Sequence, residues 1–199
     1  IEKVLFCSVV PEIYKKLKTY LIKRKFSCNE LKQYKIKKII KIKIKKFSQV
    51  GSDRLANAIG SYVKYKTNCV VIDFGTATTF DVIKYPGVYD GGVIAPGINL
   101  SIHNLNKFTA LLPTFKLKKN IKKYGKNTKD ALNAGFLWGY QGLINNILKN
   151  IFKEGGFNYK IILTGGYASH FKKHIIKKSI VDQNITVKGV MEVYKRLVL

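Results

Sequence analysis

A carboxylate beside an arginine, in the segment Gly51-Ser52-Asp53-Arg54, is the first pattern in this sequence that could do chemistry. The segment opens a predicted helix, where Asp53 is either an ordinary helix cap or a group that accepts a proton. The chain has only three arginines, Arg24, Arg54 and Arg196, so the arginine in this motif favours the functional interpretation. A guanidinium offers a planar fork of N–H donors, which suits an anionic ligand.

A second segment, from Asp73 to Thr79, combines a carboxylate, a glycine and three threonines after a short apolar run. A phosphate-binding loop needs inward backbone N–H groups, a glycine where a side chain would clash, and hydroxyls. A carboxylate at the end of the preceding strand is suited to holding a cation beside the phosphates. A plain hairpin with a glycine turn is the alternative, but the threonines around Gly75 favour a phosphate loop.

Two further glycine-rich segments are less specific. Gly91 to Gly97, followed by Thr109 to Pro113, would permit close backbone approach, and Thr164-Gly165-Gly166 could pack against a nucleotide. Each of them alone is typical of turns.

The formal net charge of +26 raises the possibility of a nucleic-acid-binding protein. The basic residues are almost all lysine, however, whereas arginine is the better residue for forked contacts with phosphate and guanine. The richness in Lys, Ile, Asn, Tyr and Phe is typical of an A/T-rich genome, which explains the charge without a nucleic-acid partner. No apolar run approaches the roughly 20 residues that a membrane span requires.

The three cysteines, Cys7, Cys28 and Cys69, are widely spaced and match no disulfide or zinc framework. The three histidines likewise lack the spacing of a metal site. These features predict buried thiols in a reducing cytoplasm.

The hydrophobic pattern predicts an α/β architecture. The predicted strands are 4–10, 36–47, 69–73, 79–83, 89–94 and 160–163, and the main helices are 12–25, 55–65, a long one from 127 or 128 to about 153, and 186–198. The first of these helices has Ile13, Leu17 and Leu21 at helical spacing, and the apolar face of the long one includes Leu137 and Trp138.

Together, the order and spacing of the motifs resemble the type III pantothenate kinases, members of the superfamily that includes actin, acetate kinase, sugar kinases and Hsp70. The matching stretches are Ser8 to Pro11, Gly51 to Arg54, Asp73 to Thr79, Gly91 to Gly97 with Thr109 to Pro113, Gly125 to Thr128, and Thr164 to Gly166.

The resemblance implies an actin-like (ribonuclease H-like) ATPase fold with two similar α/β domains. We expect residues 1–66 to belong to the first domain, 67–181 to form the second, and 182–199 to form a helix that packs back on the first. The family begins with a strand and an Asp-x-Gly-Asn-Thr loop that binds ATP phosphates and magnesium. That element has no counterpart in this sequence, so the first domain should be incomplete and the loop should lie upstream of Ile1.

The resemblance also implies ATP-dependent phosphorylation of pantothenate to 4′-phosphopantothenate, the first step of coenzyme A synthesis. Asp53 would accept the proton of the substrate hydroxyl, and Gly51, Ser52, Asp53, Arg54 and Thr128 would contact pantothenate.

On the nucleotide side, Gly75, Thr76 and Gly165 would bind ATP, and Asp73 would hold a monovalent cation, K⁺ or NH₄⁺. Mg²⁺ would accompany ATP, and the protein would be a homodimer.

The sequence departs from the family just before the Gly51 motif, where Ile44, Lys46 and Phe47 replace the usual Tyr, Asn and Pro. Two other functions stay open at this point. One is a non-catalytic relative like the Bvg accessory factors, which are linked to transcription, and the other is a basic nucleic-acid-binding protein.

Overall fold

The computed structural model describes residues 3–199, which contain eight strands and six helices besides short 3₁₀ turns and a final π turn. The strands are β1 Lys3–Phe6, β2 Ser27–Glu30, β3 Lys41–Ile42, β4 Cys69–Phe74, β5 Ala77–Lys84, β6 Val88–Pro96, β7 Lys160–Gly165 and β8 Ser179–Val181. The helices are α1 Pro11–Ile22, α2 Ser52–Tyr65, α3 Ile98–Lys107, α4 Thr128–Gly155, α5 Ala168–Phe171 and α6 Ile185–Val193.

The strands form two sheets. Strands β1 and β2 pair in parallel, while the larger sheet has the order β3-β6-β5-β4-β7-β8. Its outer pairs, β3 with β6 and β7 with β8, are parallel, and β4, β5 and β6 follow one another through short turns. This arrangement confirms the α/β class expected from the sequence. Across residues 3–199, the structure contains no helix whose length and apolar content would let it span a bilayer.

The chain divides into two compact units. Unit 1 comprises residues 1–71, 81–91 and 184–199, and unit 2 comprises 72–80 and 92–183. Strands β4, β5 and β6 therefore contribute residues to both units. The domain boundaries expected after residues 66 and 181 stay predictions, and residues 81–91 group with the first unit.

Unit 1 is built around the close packing of α2 against α6. Leu55, Ala58 and Ile59 of α2 are fully buried, as their helical spacing predicts. Glycines occupy the positions where the two helices cross. A Cβ on Gly189 would lie 2.9 Å from Ala56 Cα, and a Cβ on Gly60 would lie 2.9 Å from Gly189 N. The backbones of the two helices are thus in direct contact.

Unit 2 is organised by the 28-residue helix α4. Asn127 begins it as a cap, because its side chain accepts a hydrogen bond from Asp130 N at 2.9 Å. Ala134, Leu137 and the later stripe Ile144, Leu148 and Ile151 are buried. Gly156, at φ +67°, ends the helix in the left-handed conformation.

The strand predicted over residues 36–47 is wrong. The segment instead forms 3₁₀ turns at Ile36–Lys38 and Phe47–Gln49 on either side of the two-residue strand β3. Ile36, Ile39 and Ile40 are the buried residues, and their spacing of three and four is helical rather than alternating.

Two predicted inward faces are also wrong. In α1, Ile13 and Leu17 are 56% and 46% exposed, and no residue of the helix is fully buried. In α4, Trp138 is 43% exposed beside the buried Leu137. The periodic pattern located both helices, but the apolar stripe of α1 stays largely exposed, and in α4 Trp138 lies beside the buried stripe rather than within it.

We expect Gly189→Ala to lower the free energy of unfolding by roughly 1–3 kcal/mol or more, because the added methyl group would overlap the backbone of Ala56. The matched control is Gly142→Ala on the exposed surface of α4, where an added Cβ meets nothing within 4 Å. That change should stabilise the protein by about 0.5–1 kcal/mol through helix propensity. Urea unfolding followed by circular dichroism measures both, and equal effects of the two substitutions would contradict the packing argument.

Candidate active site

The N-terminus of α2 is held by a carboxylate from β2. Gly51 is the extended N-cap residue, and Ser52, the first helical residue, is only 3% exposed. The Ser52 hydroxyl donates a hydrogen bond to Glu30 Oε1, and Glu30 Oε2 accepts from Lys32 N at 2.7 Å. Ser52 is therefore committed to a protein partner, and it orients the turn that presents the next two residues.

Asp53 lies in the first turn of α2, where the helix dipole favours a negative charge. It is half-buried, and its Oδ1 accepts a hydrogen bond from Arg54 N at 2.8 Å. Its second carboxylate oxygen accepts no hydrogen bond from the part of the chain that the structure describes. That oxygen is chemically suited to accept a hydrogen bond, and then a proton, from a ligand hydroxyl.

The neighbouring Arg54 is fixed by a buried carboxylate. Arg54 Nε donates to Asp81 Oδ1 at 2.7 Å, and Tyr89 OH donates to the same oxygen at 2.8 Å. Asp81 and Tyr89 are fully buried on β5 and β6, whereas the Arg54 side chain is 15% exposed. The arginine is thus anchored by Asp81 through Nε and keeps a small exposed fraction.

Burial and charge act in opposite directions in this cluster. Burial raises the pKa of Asp81 from 3.8 to about 6, although Arg54 and the Tyr89 hydroxyl lower it. Burial by itself would lower the pKa of Arg54, but Asp81 raises it above its ordinary value. The pKa of Tyr89 is raised by burial and by Asp81. At neutral pH the cluster is therefore an ion pair with a neutral tyrosine.

Cys7 faces the same region. Burial, followed by the charges of Asp53 and Glu30, raises the pKa of its thiol to about 12. The group stays a neutral thiol at physiological pH and is a poor nucleophile. None of the three cysteines forms a disulfide in the described part of the chain.

In unit 2, the carboxylate of Asp73, near the end of β4, lies against Gly165, where a larger residue would not fit. Gly165 has φ +83°, and a Cβ at this position would come within 2.6 Å of Asp73 Oδ1 and 2.7 Å of Phe74 O. Gly166 N donates to Phe74 O at 3.1 Å, which ties the end of β7 to the end of β4. The structure therefore brings together Asp73 and Gly165, two residues that the sequence predicted to serve one nucleotide site.

The turn after β4 is exposed and is backed by a second glycine. Gly75 and Thr76 are exposed at the turn, and a Cβ on Gly97 would overlap their carbonyl groups. Thr78 follows in β5 with its side chain fully buried, and its hydroxyl has no hydrogen-bond partner among residues 3–199. Gly75 N donates to Ala77 O at 3.1 Å within the turn, so the backbone N–H and hydroxyl of Thr76 are the groups that can face a phosphate, whereas Thr78 points into protein.

Thr128 is the first residue of α4 and is exposed. It borders an apolar groove of about 680 Å³ in unit 2 that also includes Pro96, Ser101, Phe136 and Tyr140. Tyr140 OH lies 2.8 Å from Ser101 Oγ inside this groove.

The donor set near Asp73 suits a weakly coordinated cation. Within the described residues no group of three or more His, Cys, Asp or Glu side chains could hold a metal ion. The Asp73 carboxylate and the Phe74 carbonyl, which both border the cradle at Gly165, are oxygen ligands of the kind that hard cations prefer. The oxygens that border this cradle are therefore compatible with a hard cation.

The sequence did not identify three residues of this site, namely Glu30, Asp81 and Tyr89. The only available signal for Asp81 was a carboxylate between Phe80 and Val82 in an apolar strand, in a chain with just 11 acidic residues. Glu30 and Tyr89 carried no recognisable pattern.

Comparison with known proteins identifies the family. A sequence profile of the type III pantothenate kinases matches residues 1–150. A type III pantothenate kinase from Pelagibacter ubique is 47% identical over 192 residues, which are 96% of this chain and 76% of that protein. One from Paramagnetospirillum magneticum is 37% identical over 198 residues, 98% of this chain and again 76% of the relative. This chain therefore spans about three quarters of the length of these relatives.

A solved structure shows the same fold. A conserved Campylobacter jejuni protein assigned to the Baf family of transcriptional activators superposes with a TM-score of 0.65 and 20% identity, covering 98% of this chain and 83% of that one. At this identity the match establishes the fold alone. The resemblance read from the motifs is confirmed by the profile and the relatives, and the chain belongs to the type III pantothenate kinase family.

Proposed function

We propose that this protein carries out the reaction for which its family is named, the ATP-dependent phosphorylation of pantothenate. The observation that supports this assignment is the start of α2, where a half-buried carboxylate and an arginine anchored by a buried aspartate stand side by side. The product would be 4′-phosphopantothenate, the first intermediate of coenzyme A synthesis.

Pantothenate combines an alcohol with a carboxylate, and the two side chains match these groups. Asp53 accepts the proton of the attacking hydroxyl as the bond to phosphorus forms. Arg54 binds the substrate carboxylate with the N–H groups that Asp81 does not use. Gly51 and Ser52 shape the turn from below, and Thr128 supplies a further polar contact. Phosphoryl transfer depends mainly on positioning and charge neutralisation, so a carboxylate is a sufficient base.

The nucleotide side lies in the loop that follows β4. The backbone N–H and hydroxyl of Thr76 contact the ATP phosphates, and Gly75 and Gly165 permit the nucleotide to approach the backbone closely. Asp73 holds a potassium or ammonium ion, and Mg²⁺ arrives with ATP. These cations neutralise phosphate charge when bound.

The protein acts as a homodimer in the cytoplasm. An exposed Trp138 and the apolar groove at α4 supply surface for a second copy, and cysteines outside any disulfide suit a reducing compartment. We expect light scattering after size exclusion, at micromolar concentration, to give twice the monomer mass. A monomer mass across the whole concentration range would contradict this assembly.

In the full-length protein that the gene encodes, Asp53→Asn should lower kcat by about 10²–10⁴ while the KM for pantothenate changes little. Asn retains the size and capping ability of Asp but cannot accept the proton. A coupled assay of ADP release measures both constants, and the melting temperature reports on the fold.

The matched control is Asp130→Asn, which alters another carboxylate in the first turn of a helix. It should leave kcat nearly unchanged. If Asp53→Asn keeps near wild-type turnover, Asp53 is a cap and another group is the base.

Potassium or ammonium should support a higher rate than sodium, because the ligands around Asp73 are oxygens suited to a large monovalent ion. Asp73→Asn should weaken ATP binding more than pantothenate binding. Calorimetric titration of each substrate in KCl and in NaCl measures this difference. Equal rates and equal ATP affinities in the two salts would remove the monovalent ion from the mechanism.

A further inference from the structure

In the buried ion pair between Arg54 and Asp81, the hydrogen bonds are shared unequally between the two carboxylate oxygens of Asp81, and a contribution to stability alone does not explain this. Asp81 is fully buried, and both of its donors, Arg54 Nε and Tyr89 OH, reach the same oxygen, Oδ1. Its Oδ2 has no hydrogen-bond partner among residues 3–199. A buried carboxylate with one unsatisfied oxygen is costly, and apolar residues of similar volume would often stabilise a core as well or better.

On the Arg54 side of the pair, this arrangement leaves the terminal nitrogens of the guanidinium available for a ligand. Arg54 uses only its Nε on Asp81, and its guanidinium also lies within hydrogen-bonding reach of the Tyr89 hydroxyl. Within residues 3–199 its two terminal nitrogens form no ion pair with a carboxylate. Those terminal nitrogens form the edge of the guanidinium that binds a carboxylate through two parallel hydrogen bonds. The centre of the guanidinium also lies 6.0 Å from the centroid of the Tyr89 ring.

We infer that Asp81 is a positioning residue for substrate binding: it holds Arg54 by Nε so that the terminal edge of the guanidinium meets the pantothenate carboxylate. This inference rests on the proposed function, in which Arg54 binds that carboxylate. Tyr89 supports the arrangement by donating to the oxygen that Arg54 uses. Without Asp81, the arginine keeps its charge but loses the fixed orientation that forked binding requires.

A purely structural role makes a different prediction. If the pair only ties α2 to the sheet, removal of either partner lowers stability. The losses of substrate affinity caused by the two substitutions are then independent and add in the double variant. If Asp81 acts through Arg54, its effect on pantothenate disappears once Arg54 is gone. A double-mutant cycle separates these two cases.

The cycle consists of the full-length wild type, Asp81→Asn, Arg54→Gln and the double variant, each assayed for the KM of pantothenate and of ATP. We expect Arg54→Gln to raise the pantothenate KM about 10- to 100-fold, as the loss of a charge-assisted hydrogen bond predicts. Asp81→Asn should raise it roughly 5- to 30-fold, because Asn still offers an oxygen to Nε but no charge. The double variant should be no worse than Arg54→Gln, and the KM of ATP should stay within about 2-fold throughout.

Asp90→Asn is the matched control. Asp90 directly follows Tyr89 on β6. Its ion pairs with Lys43 and Lys84, unlike the pair between Arg54 and Asp81, are partly exposed. Its replacement should leave the pantothenate KM unchanged. Additive effects in the cycle, or an unchanged KM in Asp81→Asn, would overturn the role of Asp81. An unchanged KM in Arg54→Gln would show that the proposed substrate contact is itself wrong, and the inference would fail with it.

A second variant keeps the test decisive if Asp81→Asn does not fold. Tyr89→Phe removes one donor from Asp81 and leaves the carboxylate in place. The charged groups that face Asp81 are Arg54 and Asp53 from α2, and Tyr89 faces it from β6. Because the pKa of Asp81 is about 6, pantothenate affinity measured by calorimetry should weaken as the pH falls from 7.5 to 5.5. In Tyr89→Phe this weakening should begin at higher pH, and coincident pH profiles would overturn the inference.

Discussion

The direct contact between the backbones of α2 and α6 is the constraint on which the candidate active site depends. Gly60 and Gly189 let the two helices approach without intervening side chains, and Thr186 Oγ1 donates to Asn57 Oδ1 at 2.6 Å across the same crossing. Close packing of this kind leaves little freedom for a helix to slide or rotate. The first turn of α2, with its aspartate and arginine, is therefore presented from a fixed support rather than from a mobile loop.

The loop after β4, which we propose binds the nucleotide, depends on a different kind of constraint, the absence of a side chain. Gly165 has a left-handed backbone conformation, and the space beside its Cα is occupied by the Asp73 carboxylate and the Phe74 carbonyl. Even alanine would be strained there both by its φ angle and by its volume. In unit 1, helix packing thus orients the side chains of Asp53 and Arg54. In unit 2, the missing side chain at Gly165 leaves room for the Asp73 carboxylate and the Phe74 carbonyl.

The sequence predicted the parts of the fold that local pattern determines. The apolar run of β4, the capped start of α4 and the amphipathic α2 follow from spacing within each element, and the structure contains all three. The motifs around Asp53 and Asp73 were recognisable because their residue types are unusual together. Failures occurred where distant partners decide the outcome, as in the segment from Ile36 to Phe47, where three isoleucines are buried at helical spacing.

The pairing of Arg54 with Asp81 is the clearest example of what pattern could not reveal. The two residues are 27 positions apart, and neither position shows which partner it will meet. Only the register of β5 beside α2 places the carboxylate under the guanidinium. Long-range electrostatic pairs of this kind emerge from tertiary structure, because the energy of such a pair depends on burial and geometry that no local window contains.

Arg54 contacts Asp81 through Nε and, in the proposed function, the substrate through its terminal nitrogens, and this double contact limits which residues can replace it. An A/T-rich genome steadily favours lysine over arginine, and the chain retains arginine at only three positions. A lysine at position 54 would have a single ammonium nitrogen, which could pair with Asp81 or face a substrate but could not form a planar fork while doing both. A change of this codon from arginine to lysine would therefore lose one of the two contacts that the proposed function requires of residue 54.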